Sequence, residues 1–155
     1  ELSNLLGIDK KTVEHYIDLL EKSFIVFRLS AYRKNIRREI TRTKKIYFYD
    51  LGIRNAVINN FNPINSRDDV GKLFENFCII ERMKFRLYKN IPANQFFWRD
   101  YGGAEIDLVE EREGKIFAYE FKYSPKKIRS IKGWEKIKLI HKENFFELYS
   151  TDTFR

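Results

Sequence analysis

Two runs decide the fold: Glu105-Ile106-Asp107-Leu108-Val109-Glu110, and after a short gap Lys115-Ile116-Phe117-Ala118-Tyr119-Glu120-Phe121-Lys122-Tyr123. Both are rich in β-branched and aromatic residues, and Arg112-Glu113-Gly114 lies between them as a turn, so they read as a β-hairpin. Side chains alternate between the faces of a strand. In the second run Phe117, Tyr119, Phe121 and Tyr123 share one face, and Ala118, Glu120 and Lys122 the other. In the first, Glu105, Asp107 and Val109 lie opposite Ile106 and Leu108. A hairpin that sets Asp107 beside Glu120 brings two carboxylates and an ammonium together. The plainer reading is an amphipathic hairpin whose polar face is wet.

Around this hairpin the pattern extends in both directions. Val70 to Tyr88 carries Val70, Leu73, Phe74, Phe77, Ile80 and Phe85 at helical spacing, and Gln95 to Arg99 reads as a strand. Beyond Pro125, Lys126 to Lys142 reads as a basic helix with Ile128, Ile131, Trp134, Ile137 and Ile140 inward, and Phe145 to Ser150 as a last strand. The order is α-β-β-β-α-β. Upstream, Asn59 to Asp69 is dense in Asn, Pro, Ser and Asp and marks a boundary. The expected division is a domain over 1–60, a linker over 61–69 and a second domain over 70–155.

The first domain reads as helix-turn-helix plus hairpin. A short helix over Leu2 to Gly7 is followed by Asp9 as N-cap of a second helix, Lys10 to Ser23, with Val13, Tyr16, Ile17 and Leu20 as its buried stripe. Strands over Phe24 to Leu29 and Lys45 to Tyr49 flank a basic segment, and a helix follows over Leu51 to Asn59. That order describes a winged helix, whose second helix ordinarily enters the DNA major groove. Glu14, Asp18 and Glu21 on this helix would repel phosphates, so a role in domain contact competes with DNA binding. His15 reads as an exposed helix residue and Cys78 as a small core residue.

Composition narrows the function. Among 155 residues there are 30 Lys+Arg against 22 Asp+Glu, a net charge of +8, which suits a polyanionic partner. The excess is +5 up to residue 65 and +3 beyond it, so it is shared. Two clusters stand out. Arg33, Lys34, Arg37, Arg38 and Arg42 lie in the hairpin segment, and Lys126, Lys127 and Arg129 open the basic helix. Each is a candidate phosphate-contacting patch, or else a solvated face. One cysteine and two distant histidines exclude a Cys/His zinc site and an internal disulfide. No apolar run reaches the ~18–20 residues of a membrane span. No targeting pattern is visible, and a cytoplasmic setting with no membrane partner is the expectation. The opening at Glu1, without an initiator Met, suggests a piece of a longer protein.

Glu75 on the 70–88 helix, Asp107 on one strand and Glu120-Phe121-Lys122 on the next resemble the PD-(D/E)xK nuclease superfamily, with its restriction-endonuclease-like fold. More narrowly, Gly71-Lys72-Leu73-Phe74-Glu75-Asn76-Phe77, Phe97-Trp98-Arg99, Glu105-Ile106-Asp107 and Tyr119-Glu120-Phe121-Lys122-Tyr123-Ser124 are similar to a C-terminal domain of unknown function of archaeal and bacterial AAA-type ATPases. In that family a winged-helix stretch precedes the nuclease-like domain. The resemblance implies an α+β protein with an N-terminal winged helix. It also implies Glu75, Asp107, Glu120 and Lys122 as catalytic residues, and Asp107 and Glu120 as Mg²⁺ ligands. The partners implied are DNA and an ATPase module in the same parent chain; a homo-oligomer is compatible with it.

No G-x-x-x-x-G-K-[ST] loop occurs, so ATP hydrolysis by that route is excluded for this chain. Three functions compete: a DNA-binding, regulatory nuclease-like module of an ATPase, a Mg²⁺-dependent DNA endonuclease or junction resolvase, and a transcription regulator built on the winged helix alone. The last leaves the second domain without a role.

Overall fold

The computed structural model describes residues 2–32, 43–100, 102–124 and 144–150, and its chain is a mixed α+β protein. It divides into two compact units, Glu1–Arg28 with Ile46–Phe61, and Leu29–Lys45 with Asn62–Arg155. The predicted helix over Lys126 to Lys142 lies outside the described residues, as do Arg33, Lys34, Arg37, Arg38, Arg42, Lys126, Lys127 and Arg129.

In the first unit α1 (Leu2–Leu6) ends at Gly7, whose φ of +64° is the left-handed cap conformation glycine adopts without strain. Asp9 then caps α2 (Lys10–Lys22) by accepting from the Thr12 N–H at 3.2 Å. Of the expected buried stripe only Val13 is fully buried; Tyr16 and Leu20 are 57% and 40% exposed. The acids of α2 have an internal partner. Arg28, at the Val26–Arg28 end of β1 (Val26–Ala31), is 2.6 Å from Asp18 and 3.4 Å from Glu14, and bonds Glu21 through its Nε at 2.7 Å. This end of β1 and Ile46–Phe48 of β2 (Lys44–Phe48) are completed by aromatic packing of Phe27 on Tyr47 and Tyr49. Asp50 caps α3 (Leu51–Val57) through the Ile53 N–H at 2.9 Å.

The second unit holds α4 (Val70–Tyr88), β3 (Asn94–Arg99), β4 (Glu105–Arg112), β5 (Lys115–Lys122) and β6 (Asn144–Ser150). The strand order is β2-β1-β3-β4-β5-β6, to which β1 and β2 contribute here their Leu29–Ala31 and Lys44–Lys45 ends. β3, β4 and β5 are antiparallel neighbours, and β6 is parallel to β5. β1 runs parallel to β3, pairing Ser30 with Phe96 and Ala31 with Phe97. This pairing was not foreseen: the far end of the expected wing hairpin is a sheet element of the second unit. β4 lies between two partners, and Ile106 to Glu110 are all buried, so the polar face is not a wet one.

The β4–β5 turn is built on Glu113 and Gly114, with φ of +51° and +75°, the two left-handed residues of a tight hairpin joining paired Arg112 and Lys115. A Cβ at Gly114 meets nothing within 4 Å, so Gly114→Ala should cost only the backbone strain, about 1 kcal/mol, measurable by urea unfolding.

α4 corrects its predicted face. Phe77 and Phe85 are 40% and 46% exposed, whereas Asn76, Cys78, Ile79 and Ile80 are buried. Arg82 also turns to the sheet. It bonds Glu110 of β4 through two nitrogens at 3.0 and 2.8 Å, and the Tyr119 hydroxyl at 2.9 Å. The sequence-based alternation in β4 also fails at one point. Phe96 pairs with Val109 but Trp98 with Ile106, a register shift of one residue, and Ile106 and Val109 both join the core cluster of Tyr32, Trp98, Ile116 and Ala118. Val109 therefore leaves the face assigned to Asp107, the re-aiming a bulge produces.

Candidate functional site

The register shift spans Asp107, and it delivers this side chain to the polar centre of the second unit. Asp107 Oδ2 accepts the Phe121 N–H of β5 at 2.9 Å, a bond from strand backbone to a buried carboxylate. Lys122, the next residue, stands 4.0 Å from the same oxygen and is ion-paired with Glu120 Oε1. Glu120 is buried, and among the described residues its Oε2 has no side-chain hydrogen-bond partner. Glu75, on α4, lies seven residues before Arg82 and so on the same helix face, which carries it to Asp107. Glu75, Asp107, Glu120 and Lys122, chosen from sequence, thus share one neighbourhood.

Two further residues belong to it. Glu75, Glu105 and Asp107 each present a carboxylate oxygen within 4.8 Å of the other two, the three-acid group found among the described residues. Glu105 stands two positions before Asp107 and shared its predicted face, which was signal enough to find it. Lys45 of β2 was read from the sequence only as the first residue of a strand beside the basic segment. Its ammonium is 2.9 Å from Glu75 Oε1 and 3.7 Å from Asp107 Oδ1, and is ion-paired with Glu105 Oε1. Arg99, half exposed, holds Glu105 from the rim. No local pattern links Lys45 to acids 30 or more positions away.

Electrostatics follow from this crowding. Burial, with Glu75 and Glu120 nearby, pushes the Asp107 carboxyl up to about 7, against the opposing pull of Lys122 and the Phe121 N–H. Glu120 is raised by burial too, partly offset by Lys122. Burial drags on the Lys45 ammonium, but Glu75, Glu105 and Asp107 outweigh it and its proton is held more tightly than usual. Lys122 behaves alike, with Glu120 and Asp107 outweighing burial. Glu105 is lowered: Lys45 and Arg99 overcome the burial that opposes its charge. Burial raises the Cys78 thiol to about 12, so it is an inert core group.

Four carboxylates against two ammoniums and the Arg99 guanidinium leave negative charge in excess. The donors are all oxygen, and among the described residues Glu120 Oε2 is a buried acceptor without a side-chain donor, so the residues fit a hard divalent cation such as Mg²⁺. Next to the centre a cavity of about 610 Å³ is lined by Glu75, Lys72, Phe121 and Lys122, with Arg67 and Asn65 also on its wall. Among the described residues no helix is long and apolar enough to cross a membrane.

Residues 1–63 match a domain of unknown function, DUF8612, and residues 70–153 match another, DUF4143. Two relatives, the uncharacterized proteins Mb2031c of Mycobacterium bovis and Rv2008c of Mycobacterium tuberculosis, are each 27% identical over 124 residues, 79% of this chain. The chain spans 27% of the length of either relative. No solved structure matches it significantly. With more than half of its residues inside the DUF4143 match, the chain belongs to the DUF4143 family.

Proposed function

We propose that this chain is a DNA-binding, regulatory nuclease-like module of an AAA-type ATPase, a winged helix followed by a PD-(D/E)xK-like domain. The observation that carries the reading is the convergence of Asp107, Glu120 and Lys122, with Lys122 paired to Glu120 and 4.0 Å from Asp107. The element order α1-α2-β1-β2-α3 supports the winged helix, and the order α4-β3-β4-β5 supports the nuclease-like part. The relatives' length leaves room for a motor. The net charge of +8 supports a polyanionic partner. Lys45 among the acids favours a binding role, because an ammonium neutralises carboxylates but cannot activate water.

A second reading, a Mg²⁺-dependent endonuclease, is favoured by one observation: the buried Glu120 Oε2 that no side-chain donor among the described residues satisfies. Mg²⁺ bound by Asp107 and Glu120, with Glu75 alongside, would supply Lewis-acid activation of water and phosphate. Asp107, fixed by the Phe121 N–H, and Glu120, fixed by Lys122, are the ligands held in orientation. Lys122 is the cation available to offset charge on the phosphate as water attacks phosphorus and the P–O ester bond breaks, leaving an alcohol and a phosphate monoester.

The two readings separate on a panel of duplex, forked, junction and single-stranded DNA with Mg²⁺ or Mn²⁺. Both expect binding that weakens steeply with salt, in proportion to the phosphates neutralised, and affinity indifferent to salt sinks both. On the endonuclease reading, Glu120→Gln lowers cleavage by about 100-fold or more while binding persists. On the binding reading, wild type and Glu120→Gln bind alike and neither cleaves.

A further inference from the structure

The Lys45 ammonium touches each member of the three-acid group: Glu75 at 2.9 Å, Asp107 at 3.7 Å, and Glu105 as an ion pair. Its side chain is only 19% exposed. It lies 5.5 Å from the centre of the Phe97 ring, so an aromatic face also holds the cation on the β3 side. A divalent ion bound by Glu75, Glu105 and Asp107 requires oxygens of the same three carboxylates. Beside them, among the described residues, the buried Glu120 Oε2 has no side-chain donor. The cluster therefore already holds a cation supplied by its own chain.

We propose that Lys45 is the resident cation of this centre, occupying between Glu75, Glu105 and Asp107 a station a divalent metal would take, so that metal enters that station, which shares Glu75 and Asp107 with the ligand set named above, only by displacing it. The inference rests on the metal-binding reading of the centre and adds its regulation: the position of one β2 side chain sets metal affinity. A divalent ion placed among these three carboxylates meets the Lys45 ammonium at close range and competes with it for them, which weakens metal binding in a partly buried site. An ammonium also offers no coordination site for water, so the centre is neutralised but not activated while Lys45 is seated.

The test is Mn²⁺ binding by titration calorimetry, without DNA, on the 155-residue chain. Lys45→Met keeps the length of the side chain and removes its charge. It should bind Mn²⁺ at least about tenfold more tightly than wild type, and its melting temperature, lowered in EDTA by uncompensated acids, should be restored by Mn²⁺. Because Lys45→Met can fail to fold without metal, the same comparison is made between Glu105→Gln and Lys45→Met/Glu105→Gln. The double variant carries no extra net charge relative to wild type, and it should bind about tenfold more tightly than Glu105→Gln. Equal Mn²⁺ affinities within each pair overturn the proposal alone. Absence of Mn²⁺ binding in every variant overturns it together with the metal reading. Tighter Mn²⁺ binding by the Lys45 variants supports it, and if the DNA panel above then shows no cleavage, only the hydrolytic reading is removed.

Discussion

Replacing Glu110 by Ala should lower the stability of this protein by about 3–5 kcal/mol, the cost of leaving buried cations without their counter-charge. Glu110 is completely buried in β4 and serves three arginines: Arg82 bonds it at 3.0 and 2.8 Å, Arg112 approaches to 3.5 Å and Arg86 to 3.8 Å. Gln95 donates to the same carboxylate at 3.2 Å. The crowding of positive charge is visible at Arg86. Its proton affinity is lowered by burial and further by Arg82 and Arg112, with Glu110 opposing. Without the carboxylate the guanidiniums must spread into water, pulling α4 from the sheet, or stay buried and repel. Aromatic faces, Tyr119 at 4.8 Å from Arg82 and Phe117 at 3.5 Å from Arg112, soften the loss but carry no charge. Urea unfolding measures it. A loss below about 1 kcal/mol contradicts the network's role, and adding Arg82→Met to Glu110→Ala should recover part of the loss, because removing both partners costs less than removing one.

This network shows what could be seen in the sequence and what could not. The span of α4, the β4–β5 hairpin with its Glu113-Gly114 turn, and the meeting of Glu75, Asp107, Glu120 and Lys122 were legible, because each rests on local periodicity or short spacing. The buried face of α4 was not. A count of apolar residues selected Phe77 and Phe85, while the helix turns Glu75, Ile79 and Arg82 to the sheet, two of them charged and half-buried, with partners supplied by β2 and β4. Alternation in β4 failed at Asp107, where a one-residue shift against β3 interrupts the period of two. Lys45 was illegible for another reason. It reaches the acids because β1, the neighbour of β2, pairs in parallel with β3, and a pairing of Ser30 with Phe96 leaves no mark on either segment.

The acidic centre itself should be a source of instability that one substitution relieves. In EDTA at pH 8, Asp107→Asn should be more stable than wild type by about 2–4 kcal/mol, which raises the melting temperature by about 5–15 °C. The sign follows from the proton. Folding raises the Asp107 carboxyl from its ordinary 3.8 to about 7, by burial and by the nearby charges of Glu75 and Glu120. The folded state therefore binds the proton more tightly than the unfolded chain, and the stability this contributes is complete below 3.8 and lost as the pH rises through about 7. Above that pH the ionised Asp107 is a net burden on the fold. Asn resembles the protonated acid and its Oδ1 can still accept the Phe121 N–H that Asp107 accepts at 2.9 Å, so the change removes charge and little else. The advantage should shrink steadily as the pH falls from 8 towards 4, where wild type carries the proton itself. A melting-temperature gap that does not change with pH, or a less stable Asp107→Asn at pH 8, would refute the account. Bound Mn²⁺ should narrow the gap from the other side, because a cation on the carboxylates stabilises the ionised wild type and has less to hold in Asn. Asp107, whose charge burdens the fold at neutral pH, is then also one of the acids that could hold a metal ion.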